Sequence, residues 1–277
     1  YLSLPAFKEI RIIFNKSMIF GVIAVIFIIF NRVDLMFCEY FLNIYQTGLY
    51  SGAVRLNNSL LTIIVAATLA FFSESVIIKD NLKLKQHIEL SIWVCFSISL
   101  PAILITWLFG HEVLTLILGD VSFAKMHLPL GFLTTGSLFE GLIIVLGFQV
   151  LLNLSKVIQF FVSLLIGLVV WLILSLLFVH QLAQVGLAAS VMLGKMVAFC
   201  MVYFYSQKLL GRFNLTKIIR TLFAALLMWI SYVILININL HFWFMNLVIT
   251  SLVYVLSQII LNFYIIKRLF LQLWGKF

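Results

Sequence analysis

Charge is what this 277-residue chain has least of: Asp, Glu, Lys and Arg make up 10% of it, against 64% hydrophobic residues. A soluble domain carries roughly a quarter charged residues, so this chain lacks the polar surface of a water-soluble globule, and its mean hydropathy is +1.21. Proline is scarce, with three residues, so the apolar runs go almost uninterrupted. Cys38, Cys95 and Cys200 each lie alone in an apolar stretch. That spacing supports neither a disulfide framework nor a cysteine metal site, and reads as small buried hydrophobes. Apolar–polar alternation of the barrel kind is missing, which leaves helices as the spanning structure. Phosphate loops of the GxxxxGK[ST] kind are missing too.

What the chain does contain is a series of apolar runs. Eight segments, near 17–38, 50–74, 88–109, 127–152, 157–180, 184–206, 219–237 and 242–266, approach or exceed the roughly 20 helical residues that cross a hydrocarbon core. The fold expected is an all-α, polytopic membrane helical bundle of about eight transmembrane helices. Its basic residues are not scattered. Lys8, Arg11, Lys16, Lys79, Lys83, Lys85, Lys156, Lys208, Arg212, Lys217, Arg220, Lys267, Arg268 and Lys276 all fall in alternate connections or at the two ends. The other side holds Lys125, while Arg32, Arg55 and Lys195 fall within helices. The positive-inside rule then places both ends in the cytoplasm. The net charge of +9 is therefore mostly topology and implies no nucleic acid. Tyr1 to Lys16 reads as a short amphipathic lead-in and not as a signal peptide, and the want of an initiator Met suggests a fragment or a trimmed chain. The connections are short, the longest outer one running from about Gly110 to Met126.

Polar residues inside the spans are the candidate functional positions. In the first helix Asn31 and Asp34 share a face, with Arg32 turned about 100° away. The second helix carries Ser51, Arg55, Asn58 and Thr62, spaced 4, 3 and 4 as a polar stripe. The fourth has Ser137 and Glu140 on one face and the sixth has Lys195, both near mid-depth. Each has a bland reading: Arg32 and Asp34 as a structural pair, or Arg32 and Arg55 extending to an interface. Glu140 and Lys195 reach an interface least easily. The ladder Gly186, Ser190, Gly194, Ala198 is a close-packing seam, and Glu74 sits solvated at a helix end. His87, His111, His127, His180 and His241 are scattered over helix ends, which argues against a metal site. Catalysis finds little support, since Glu112 and Asp120 are the only clustered loop carboxylates and no His partners them.

At "NRVDLMFCEYFLNIYQTGLYSGAVRL" the chain resembles the polysaccharide repeat-unit flippases, the Wzx-type O-antigen transporters of the multidrug/oligosaccharidyl-lipid/polysaccharide exporter superfamily. Arg32, Asp34, Gly48, Tyr50, Ser51, Ala53, Arg55 and Leu56 match their pattern at the opening of the second lobe. "LPAILITWLFGHEVLTLILGDVSFAKMHLPL", "GFQVLLNLSK" and "VGLAASVMLGK" are similar to later family motifs, so the resemblance covers roughly Ser17 to Gln207. It implies that residues 1–206 are a second six-helix transporter lobe and 207–277 an additional helix pair, with a first lobe missing. It further implies a multi-pass protein of the bacterial inner membrane. Its substrate would be an undecaprenyl-diphosphate-linked oligosaccharide, moved from the cytoplasmic to the periplasmic leaflet for O-antigen or capsular polysaccharide. A polysaccharide polymerase and membrane lipid would be its partners, and no cofactor or metal is expected. Under it, Arg32, Arg55 and Lys195, with Asn58, line a cationic path, while Asp34 and Glu140 orient those cations or titrate. The alternatives are a lipid-linked peptidoglycan-precursor flippase or drug/cation antiporter of the same superfamily and, from another class, a membrane-embedded glycan polymerase or ligase.

Overall fold

Two asparagine- and aspartate-capped starts and two left-handed glycines punctuate the chain. The computed structural model describes residues 7–238 and 242–274, the side chains of 7–17, 19–20, 264–265 and 268–274 excepted. The side chains of Lys8, Arg11, Lys16, Arg268, Lys276 and His241 lie outside the described residues. Helix α1 (Phe7–Phe41) is followed after two residues by α2 (Ile44–Leu69), where the Asn43 side chain accepts the Gln46 N–H at 2.8 Å. The short α3 (Phe72–Ile77) leads to α4 (Asn81–Leu118), capped by Asp80 at its start and closed by Gly119 in the left-handed region. A 3₁₀ segment, Val121–Met126, enters α5 (His127–Leu146), which ends in a wide turn of π type, Gly147–Leu152. Then come α6 (Val157–Leu210), α7 (Thr216–Asn237) and α8 (Trp243–Trp274). No strand occurs among the described residues.

Seven of these stretches are long and apolar enough to cross a membrane. One of them is two. At 54 residues α6 would be about 80 Å long, far beyond one bilayer, and its backbone breaks at Ala183 with φ 47 and ψ −127. Residues 157–182 and 184–210 are thus separate spans packed back to back, which restores the expected eight. The seam residues make the return possible: a Cβ on Gly194 would stand 2.5 Å from Trp171 Cβ, and one on Gly167 2.6 Å from Ala198 Cβ. The expected outer loops are shorter than expected. Helix continues to Phe41 and Leu118: Gly110, where the longer loop was expected to begin, stays inside α4, and the helix closes only at Gly119.

Helix α5 is the axis. In its span 78% of the most apolar window is buried, against 22% to 33% in the other six. Packed by α2, α4 and α6, it uses glycine for close approach: a Cβ on Gly141 would lie 2.6 Å from Ile64 Cγ2 and 2.8 Å from Cys95 Sγ. Beyond its end, two side-chain amides hold α2 and α3: Gln149 Nε2 donates to Thr68 O at 3.1 Å and Asn153 Nδ2 to Ser75 O at 2.8 Å. These side chains of "GFQVLLNLSK" are thereby fasteners for α2 and α3.

Helices α7 and α8 form a small core of their own, Ala224, Ala225, Met228 and Tyr254, set against Leu100, Leu104 and Ile105 of α4. Pro101 explains the attachment. Without an N–H it leaves Ser97 O without its helical donor, and Tyr254 OH supplies one at 2.9 Å. Gln258 Nε2 donates to Tyr254 OH at 3.2 Å and Asn262 Nδ2 to Gln258 Oε1 at 2.8 Å, so a buried amide chain fastens the pair to the bundle.

Candidate functional site

The mid-span residues separate into two places. The first is inside. Glu140, on the buried axis helix α5, is 4% exposed, and Lys195, on the second half of α6, is 2% exposed. Lys195 Nζ lies 2.7 Å from Glu140 Oε2. Asn31 of α1 completes a ring: its Nδ2 donates to Glu140 Oε1 at 2.8 Å, and its Oδ1 accepts from Lys195 Nζ at 3.1 Å. The amide has one donor end and one acceptor end, and each meets the ion of matching need. Gly136 flanks the lysine stem; a Cβ there would make ordinary contact, 3.6 Å from Lys195 Cδ.

One turn along α1, Asp34 is buried at 2% exposure. Its Oδ2 accepts from Tyr50 OH and its Oδ1 from Leu35 N, both at 2.9 Å, and the Lys195 charge acts on it. Three positions before Glu140, Ser137 Oγ donates to Asn57 Oδ1 at 2.8 Å. The interior thus holds two carboxylates, one ammonium and a set of aligned neutral donors, drawn from α1, α2, α5 and α6. Burying each ion costs several kcal/mol, which the short contacts and the Asn31 bridge offset. Chemically, the arrangement is an ion pair shielded from water, with a second buried carboxylate one turn along α1.

The second place is on the surface. Arg55 is exposed on α2, about 16 Å along a helix that starts six residues earlier than expected. Ser51, Ser59 and Thr62 satisfy themselves on carbonyls of their own helix, Gly48 O, Arg55 O and Asn58 O. Such hydroxyls tolerate lipid. The Arg55 guanidinium and the half-buried Asn58 amide do not, and neither has a side-chain partner among the described residues. Arg32 is exposed on α1 between Ile28 and Met36. Elsewhere the exposed faces suit lipid: on the first half of α6 they are Leu165, Val169, Ile173, Leu176 and Leu177.

Of the six positions singled out in the sequence, the fold brings Asp34, Glu140 and Lys195 together and leaves Arg32, Arg55 and Asn58 outside. Arg32 does not pair with Asp34, which takes Tyr50 instead. Sequence reasoning missed Asn57, which faces α5 one position round from the stripe, the Tyr50–Asp34 bond, and the bridging of Asn31. Periodicity gave Asn31 and Asp34 a common face, which was the available signal. Among the described residues no group of three His, Cys, Asp or Glu side chains is set to hold a metal.

Fold and site together define a multi-pass helical membrane protein with a buried ion cluster at its centre. The bundle is similar to the solved structure of the lipid II flippase MurJ in an inward closed conformation, with a TM-score of 0.71 and 14% identity. The match covers 96% of this chain and 57% of that one, so the chain spans little more than half of the neighbour's length. At that identity the likeness is one of fold. No family model matches the sequence, and no curated protein does.

Proposed function

We propose that the chain is the second lobe, with an additional helix pair at 207–277, of a flippase. The substrate is a polyprenyl-diphosphate-linked oligosaccharide repeat unit, moved from the cytoplasmic to the periplasmic leaflet of a bacterial inner membrane for O-antigen or capsular polysaccharide. The observation that carries this reading is the uncovered polar face of α2. Arg55 and Asn58 stand unpartnered on a span whose neighbours expose apolar side chains, so that face turns to water or to another polar surface and not to lipid. A diphosphate and a sugar chain need such a wall, and the guanidinium matches phosphate oxygens. The 43% of the neighbour that lies beyond the match leaves room for an opposing lobe. Alternating access would then rock the lobes against one another.

The basic residues support the orientation. Hydrogen bonds join the α3 end, the α4 start, the π turn and the α6–α7 turn at one end of the bundle. Lys79, Lys83, Lys85, Lys156, Lys208 and Arg212 belong to that end, which is therefore cytoplasmic in this reading. A second reading, a flippase for a lipid-linked peptidoglycan precursor, is favoured by the solved neighbour, a lipid II flippase. The test uses the full-length transporter: Arg55→Ala and Asn58→Ala should each cut surface polysaccharide with protein abundance unchanged. Undiminished surface polysaccharide in the double variant contradicts the path assignment. Loss of cell-wall precursor export with polysaccharide intact selects the second reading.

A further inference from the structure

At the basic end of the bundle Lys85, Lys208 and Arg212 stand with no ion-pair partner among the described residues. The α6–α7 turn there is firmly held: Phe213 is buried with its ring 6.0 Å from that of Tyr203, and Asn214 N–H donates to Glu89 Oε1 of α4 at 2.8 Å. That bond directs Glu89 away from Lys85, its neighbour one turn earlier on the same helix. Lys85, half-buried, lays its ammonium against Gly211, with Nζ 3.8 Å from where a Cβ would stand. Gly211 has φ +76, a conformation that favours the residue without a side chain. Arg212 follows it, exposed, and Lys208 lies one turn back with its ammonium 5.5 Å from the centre of the Phe204 ring. Among the described residues no carboxylate comes within ion-pair distance of Lys85, Lys208 or Arg212.

We propose that this corner, Lys85 and Arg212 at Gly211 with Lys208 one turn back, binds a phosphate group at the membrane surface. A guanidinium fork and two point charges suit phosphate oxygens, and the missing Cβ at Gly211 leaves the ligand access to the Lys85 ammonium. Phe204, 56% exposed beside Lys208, gives the corner an apolar edge, and basic residues next to the cytoplasmic ends of spans meet anionic headgroups. The ligand is a phosphate carried by a lipid, either an anionic phospholipid of the bilayer or a lipid-linked diphosphate. Neither Arg55 nor Asn58 is part of it, so its loss is distinguishable by experiment from failure of the transport path.

The test is thermal unfolding of the purified chain in neutral detergent, with phosphatidylglycerol, phosphatidylcholine or inorganic pyrophosphate added. Phosphatidylglycerol should raise the melting temperature and phosphatidylcholine should not. Lys85→Gln with Arg212→Gln should lose more than half of that rise, while Lys79→Gln with Lys156→Gln, the same charge removed from the same end, should keep it. Arg212→Gln alone, at an exposed position, serves should the double variant fail to fold, and should lose a measurable share. A pyrophosphate effect that disappears in the same variants assigns the corner to a diphosphate; a response to phosphatidylglycerol alone assigns it to bilayer lipid. Equal losses in both double variants, or no response of the native chain to either phosphate, overturn the site.

Discussion

Lys195 and Arg55 are both cations on membrane-spanning helices, and the fold treats them in opposite ways. Lys195 is enclosed by α1, α5 and α6 and answered on two sides by Glu140 and Asn31. Arg55 is left on the outside of α2 with no carboxylate within ion-pair distance among the described residues. A buried, answered charge is first a matter of assembly, because removing either partner strands the other. An exposed, unanswered charge contributes little to assembly and asks what lies opposite it. The two positions look alike in the sequence, as single basic residues in apolar runs, yet they predict opposite outcomes under mutation.

The largest effect belongs to the interior. Lys195→Ala strands Glu140 and should cost on the order of 3–5 kcal/mol, seen as loss of protein from the membrane fraction. Lys195→Met with Glu140→Gln should recover most of the abundance; if the double is as poor as the single, the pair is not the source of the loss. Next comes the seam. Ser190 is fully buried, its hydroxyl donating to Gly186 O at 2.7 Å, so Ser190→Leu should destabilise by about 1–3 kcal/mol through overpacking. The same change at exposed Ser59 should leave the melting temperature nearly unmoved, and equal effects at both would erase the distinction between the faces. Tyr254→Phe leaves Ser97 O without a donor beside Pro101 and should cost about 1–2 kcal/mol, lowering the efficiency of disulfide cross-links engineered between α4 and α8. Unchanged cross-linking would remove the fastener from the account.

Smaller still is the effect outside the span. Asp120 accepts the Ser122 N–H at 2.8 Å, which lowers its pKa from the ordinary carboxylate value. A lowered folded-state pKa gives stability that is present above the unfolded value and is lost as pH falls through the folded one. Between neutrality and mild acid the turn should therefore not respond. Spectra of the Val121–Met126 segment should change only in strong acid, and Asp120→Ala should abolish that change.

The helices were legible because length and hydropathy demand them, and even the interruption was: the expected spans 157–180 and 184–206 bracket the break at Ala183. Helix ends were less legible, since α1, α2 and α4 all extend past the runs that hydropathy marks. Glu140 and Lys195 stood out by depth alone. That they meet could not be read, because they lie on different helices whose rotation is set by packing around Gly136, Gly141 and Gly194. The 4, 3, 4 spacing of Ser51, Arg55, Asn58 and Thr62 picked out one true face of α2, but the outward one, while Asn57 beside it turned inward to Ser137. On α8 the buried polar residues Asn246, Thr250, Tyr254, Gln258 and Asn262 recur at four-residue steps. That pattern was visible in the sequence and went unread under the stronger apolar signal.

The central claim is that the α2 face is wet while the outer face of α6 is in lipid. In the full-length protein with Cys38, Cys95 and Cys200 replaced, single cysteines at Arg55, Asn58, Val169 and Ile173 would be challenged with a charged, small thiol reagent in intact cells and in inverted vesicles. The account predicts labelling at Arg55 and Asn58 from at least one side and none at Val169 or Ile173. Silence at both α2 positions from both sides, or labelling at all four alike, would contradict it.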